Sequence, residues 1–268
     1  MIGWIETASF PALFAACCAA AIGLTLASLG VGFALERAAW ARGRRVFALP
    51  VPASQLRHEA IGTALFVLLF APALALALST GALRFAEGWL AETLSFFVPL
   101  FGFQFLYYWA HRAMHARRLF WMHRWHHVSH VTTPLTGFSM HPVETVLWIV
   151  GLLGPALILA QLDLLGAGGF AGFLAFFWFG NITGHANAEI FPYRVTWGAS
   201  VTANAVVFHS LHHARYTGHY GFATSTLDRL FRTEWPDWLP LHLQIMSGRP
   251  LSRLQERAGE VTAASTAE

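Results

Sequence analysis

The chain has no lysine, and only 12% of its 268 residues are charged, against about a quarter in an ordinary soluble domain. So little charge excludes the usual solvated surface. With 56% hydrophobic residues and 23 phenylalanines, it points to an integral membrane protein. Cysteine is nearly absent too. Cys17 and Cys18 adjoin inside the first apolar stretch, which excludes a disulfide framework or a zinc knuckle. No Lys or Arg precedes that stretch, which argues against a lipoprotein signal at Cys17, so residues 10–35 read as a retained span. The net charge of +3 is modest, and the arginines sit in loops beside apolar runs. This is a topology signal, and no nucleic-acid partner is expected.

What is present is a succession of apolar spans, at about 10–35, 60–83, 90–110, 143–162 and 170–189. The fold class expected is all-α: an integral membrane bundle of about four or five helices. Pro72 falls inside the second span, where a kink is tolerated. Arg37, Arg42, Arg44, Arg45 and Arg57 follow the first span, and Arg112, Arg117, Arg118 and Arg124 follow the third. Two spans separate these basic segments, so both lie on one side, and arginine enrichment marks it as cytoplasmic. Trp197, Trp235 and Trp238 suit a bilayer interface. Residues 1–258 read as one domain and 259–268, rich in Ala, Thr and Glu, as a disordered tail. The composition points to a high-GC bacterial source, whose inner membrane is the expected location.

Of 14 histidines, six crowd into His111–His130, HRAMHARRLFWMHRWHHVSH. His111 and His115 are four apart. His123, His126 and His127 follow at i, i+3 and i+4, one face of a helix, and His209, His212 and His213 repeat that spacing. In NITGHANAE, Asn181 and His185 share a helix face near the cytoplasmic end of the fifth span, where polar groups turn toward an interior site. Neutral imidazoles each offer one lone pair without adding charge, which suits a metal. Nine candidates (His111, His115, His123, His126, His127, His185, His209, His212 and His213) exceed the needs of one ion and fit two with four or five each. All-nitrogen ligation admits iron, zinc or copper. His141 and His130 are candidates for a supporting role, and Asn181 for a water-mediated one. A membrane zinc hydrolase wants a general-base glutamate as in HExxH, and none accompanies a box. A metal transporter wants ligands along a transmembrane path, whereas these gather at one face.

HRAMH, HRWHH and HSLHH, in this order around apolar hairpins, resemble the fatty acid hydroxylase/sterol desaturase superfamily of membrane di-iron oxygenases. The resemblance covers about residues 96–233 and includes YYWAHR (107–112), HPVE (141–144) and HYGFATSTLDRLFRT (219–233). Three positions depart from the family pattern: Gln104 stands where an Asp is frequent, Ser139 where an Arg is, and His219 where an Asn is. The resemblance implies a helical cap on the cytoplasmic face carrying the histidine boxes. It implies two iron ions, with zinc as a possible substitute, and O2 as cosubstrate. The reaction implied is hydroxylation or desaturation of a C–H bond in a membrane lipid. No haem module is visible, so electrons are expected from an external ferredoxin, cytochrome or reductase.

Overall fold

The computed structural model describes residues 2–38, 42–190 and 204–259. Trp197 and the tail from 260 lie outside them. The elements are α1 (Ile2–Thr7), α2 (Phe10–Arg37), α3 (Ala53–Ser79), α4 (Trp89–Met114), α5 (Phe120–His123), two 3-10 turns (His126–Val128 and Pro134–Phe138), α6 (Pro142–Gln161), α7 (Ala167–His185), α8 (Val206–Arg215), α9 (Thr226–Leu230) and α10 (Trp238–Met246). Among the described residues the only extended pairing is an isolated bridge, Phe47 with Leu251. The fold is all-α.

Four helices, α2, α3, α4 and α6, are long and apolar enough to cross a membrane. The chain is an integral membrane protein. The fifth apolar helix, α7, is 19 residues long, but its glycines, Trp178 and Asn181 dilute its hydropathy. Pro72, Pro99 and Pro155 all sit inside helices, which neighbouring helices tolerate in such a bundle.

The five apolar helices alternate in direction. At one end, Ala86 N–H donates to Leu165 O and Gly166 N–H to Ser95 Oγ, tying the α3–α4 and α6–α7 turns together. At the other end, Asn187 N–H donates to Glu36 Oε1, and Gln55 Nε2 to Val131 O. The histidine-bearing segments leave α4 and α7 at this second end. Between the ends, Phe66, Phe70, Phe138 and Trp178 interlock, and Trp178 Nε1 donates to Thr25 Oγ1 at 2.9 Å. A second core, with Phe47, Val206, Phe208, Leu211, Trp238 and Leu241, lies under α8 and α10.

Some sequence expectations shift. The second span begins at Ala53 rather than near 60, because its first turns carry a buried polar face, Gln55 and Glu59, that hydropathy does not see. Trp238 is not interfacial: it is buried and packs edge-on against Phe208. Trp235 instead lies under the guanidinium groups of Arg215 and Arg257, 5.3 and 4.5 Å from the ring centre.

Candidate metal centre

The third span runs on to Met114 as α4, so His111 sits on its last turn and His115 caps it. The expected single helix over 123–127 is not formed. α5 stops at His123, the chain turns, and His126–Val128 continues as a 3-10 turn. The break matters, because it sends neighbouring histidines different ways. α8 carries His209, His212 and His213 without interruption, and His209 and His213, four apart, point together while His212 faces the other side.

The nine histidines resolve into two groups. His111, His115, His123, His127 and His212 form one, and His126, His185, His209 and His213 the other, with ligand atoms inside each group all within 4.8 Å of one another. All are buried except His115, which is half-buried. The groups adjoin: the rings of His127 and His213 are 4.8 Å apart, centre to centre. Each HxxHH box therefore contributes to both groups.

Six of the nine rings are fixed from behind. His111 Nδ1 lies 2.9 Å from Tyr220 O, His126 Nδ1 3.2 Å from Ser139 O, and His185 Nδ1 2.6 Å from Asn181 O. His212 Nδ1 is 2.7 Å from Gly218 O, and His213 Nδ1 2.9 Å from Ser129 O. His123 Nδ1 is 2.7 Å from Glu144 Oε1. A carbonyl or carboxylate only accepts, so in each neutral ring the proton sits on Nδ1 and the lone pair on Nε2. The Nε2 atoms of His123 and His212 both approach His127 Nε2, at 3.1 Å, and His213 Nε2 approaches His209 Nε2 at 3.2 Å. His127 Nε2 carries at most one proton, so at least one of its two contacts sets lone pair against lone pair. A cation resolves that conflict. Metal–nitrogen bonds of about 2.0–2.1 Å place neighbouring ligand nitrogens roughly 3.0–3.4 Å apart, matching these contacts. The Nε2 atoms of His111, His115 and His185 are buried without a hydrogen-bond partner. The residues fit metal.

Electrostatics agree. Burial, followed by the neighbouring imidazoles, holds His115 and His126 to a pKa of about 3, and burial alone does the same for His123. His127, His209, His212 and His213 are pushed well below the ordinary value by the same causes. All seven are neutral at pH 7, the form that coordinates.

Glu144 reads in the sequence as a carboxylate suited to a helix N-terminus. It is fully buried, and its Oε1 accepts from His123 Nδ1 and, at 3.1 Å, from Trp148 Nε1. It orients His123 and fixes its tautomer. Glu144→Gln is expected to weaken metal retention by about 10–100-fold, the usual effect of losing such a partner, measurable by competition with a chelator.

Among the described residues, none of the three supporting candidates gives a side-chain hydrogen bond to either histidine group. His141 caps α6, its Nδ1 accepting from Val143 N–H. His130 bonds the Tyr216 hydroxyl at 2.8 Å. Asn181 gives its side-chain amide to Gly137 O, and it is the backbone carbonyl that meets His185. Of the departures from the family pattern, Gln104 Oε1 accepts from Ala223 N–H, and Ser139 supplies the carbonyl behind His126. His219 stacks on Phe208, its Nδ1 donating to Phe208 O while its Nε2 accepts from Trp235 N–H. Sequence reasoning missed the carbonyls of Ser129, Ser139, Gly218 and Tyr220. Asp228 was one available signal: it accepts from the Tyr220 and Gly221 N–H groups and shapes the loop behind His111.

The family model described as fatty acid hydroxylase matches residues 96–233, just over half of the chain. The chain belongs to the fatty acid hydroxylase family. Within it, this chain is similar to plant proteins. It is 33% identical over 135 residues to a very-long-chain aldehyde decarbonylase of Oryza sativa subsp. japonica, covering 48% of this chain and 22% of the relative. To a second decarbonylase from that plant it is 32% identical over 151 residues, 54% of this chain and 24% of the relative. To one of Arabidopsis thaliana it is 30% identical over 138 residues, 48% of this chain and 21% of the relative. The matched region thus spans under a quarter of these relatives' length. No solved structure matches the chain.

A cavity of about 250 Å³ opens between α7 and α8, lined by Phe176, Gly180, Gly184 and Phe222, with His185 and His209 in its wall. It touches the four-histidine group and none of the five-histidine group. Of the α7 aromatics Phe170, Phe173, Phe176, Phe177, Trp178 and Phe179, Phe176 alone lines it. Phe173, Phe177 and Trp178 are core.

Proposed function

We propose that this chain oxidises a C–H bond of a membrane lipid with O2, by hydroxylation or desaturation, at two irons held by the five- and four-histidine groups. One observation carries the reading: nine imidazoles, eight of them buried, divide into two adjoining groups, with most of their outer nitrogens tied back and their inner lone pairs converging. When bound, the irons supply the activation of O2 that an unreactive C–H bond requires. The protein's part is positional. His111, His115, His123, His127 and His212 hold one ion. His126, His185, His209 and His213 hold the other, in a wall of the apolar cavity, where an acyl or aldehyde chain arriving from the bilayer meets it. Zinc can occupy the same imidazoles, but among the described residues neither group includes a carboxylate to act as a hydrolytic base.

The histidine end carries Arg37, Arg42, Arg44, Arg45, Arg117, Arg118 and Arg124, an enrichment that supports our reading of it as the cytoplasmic face of a bacterial inner membrane, supplied with electrons by a ferredoxin, cytochrome or reductase. The similarity to aldehyde decarbonylases puts long-chain aldehydes among the substrates to be tried. Lipids from cells with and without the protein are expected to differ by gain of an oxygen atom or loss of two hydrogens, only in air. Equal product formation under anaerobic conditions refutes the reading.

A further inference from the structure

We infer that Glu59, on α3 and outside the family-matched residues, is a positioning residue for the four-histidine group and not for the five-histidine group. Glu59 is fully buried. Among the described residues it has no ion pair: its partners are the side chains of Gln55 (2.8 Å), Ser129 (2.6 Å), Thr133 (2.6 Å) and Thr136 (2.9 Å), all donating to its two oxygens. Three of these belong to the stretch that follows the second histidine box. A buried carboxylate so fully satisfied fixes the segment that satisfies it, because withdrawing any donor exposes a desolvated group.

The neighbouring positions on the same face of α3 bind the same segment. Gln55 Nε2 also donates to Val131 O, and Thr63 Oγ1 to Leu135 O. Gly62 lies so close that a Cβ there would sit 2.7 Å from Ser139 Cα. The spacing of 55, 59, 62 and 63 is one helix face. What this face fixes is specific. Ser129 O accepts from His213 Nδ1 and Ser139 O from His126 Nδ1, so two of the four histidines in that group take their orientation from the segment held by α3. The five-histidine group is backed elsewhere, by Tyr220 O, Gly218 O and Glu144. Disturbing Glu59 loosens one metal position and leaves the other.

This inference rests on the reading that both groups hold metal, and iron counting separates the two. The wild-type chain, Glu59→Gln and Glu59→Ala are purified in detergent, loaded with ferrous iron without air, and followed for iron content and for release to a chelator. The wild type is expected to hold two irons per chain, Glu59→Ala one, and Glu59→Gln to release one of its two at least tenfold faster than wild type while the other leaves at the wild-type rate. Should Glu59→Ala fail to insert, Glu59→Gln decides, since it keeps the shape and an accepting oxygen. Wild-type release kinetics in Glu59→Gln, or parallel acceleration of both irons, overturns the selective role of Glu59. A wild-type chain that binds no iron overturns the metal reading itself, and this inference with it.

Discussion

Replacing His212 with alanine is expected to abolish turnover, by at least about 100-fold, while the chain still accumulates in the membrane. The first half follows from geometry. His212 Nε2 meets His127 Nε2 at 3.1 Å, its Nδ1 is spent on Gly218 O, and its ring packs against His111 and His115. The second half follows from where stability comes from. The bundle is held by helix packing among α2, α3, α4, α6 and α7, whereas His212 lies on α8. His126→Ala mirrors it in the other group, taking away the ring between His185 and His213. The two sites are expected to be jointly required, so either loss alone is as severe as both together, a pattern usual for residues that act as a unit. Membrane fractions assayed for product and protein test this. Full activity of either variant contradicts the ligand assignment.

The second large effect is expected without touching a histidine. Gly184 lines the cavity, and a Cβ built on it meets nothing within 4 Å. Gly184→Phe therefore fits the backbone, and it replaces a poor helix former with a better one on α7. The ring occupies space intended for the substrate chain. Each displaced methylene costs about 1–3 kcal/mol, so losing two or three slows turnover of a long-chain substrate by roughly 30-fold or more. Iron content is expected to stay at the wild-type level. Wild-type turnover by this variant would move the substrate elsewhere, and loss of iron would show that the substitution disturbs His185 rather than the cavity.

Much of this architecture is legible in the sequence because membrane spans and histidine boxes are written in composition and short spacing. Five apolar runs give the five long helices, and arginine placement puts the basic loops at the histidine end. The allocation of ligands is not legible. It depends on the chain breaking between His123 and His126, and the period of three and four residues suggests an unbroken helix instead. The outer partners are hidden for another reason. Backbone carbonyls at Ser129, Ser139, Gly218 and Tyr220 carry no side-chain signature, and their position is set by contacts as distant in sequence as Glu59. Glu144 shows the opposite failure: its residue type is informative, but a carboxylate in the first turn of a helix already has a local explanation. Trp238 likewise has the composition of an interfacial anchor and the environment of a core residue.

The most direct test of the central claim is the iron content of the purified chain, measured together with that of His212→Ala and His213→Ala. The account predicts about two irons per wild-type chain and about one in each variant, with different spectroscopic signatures for the iron that remains. One tightly held metal in the wild type, or loss of all metal from both variants, contradicts two separate histidine-held positions.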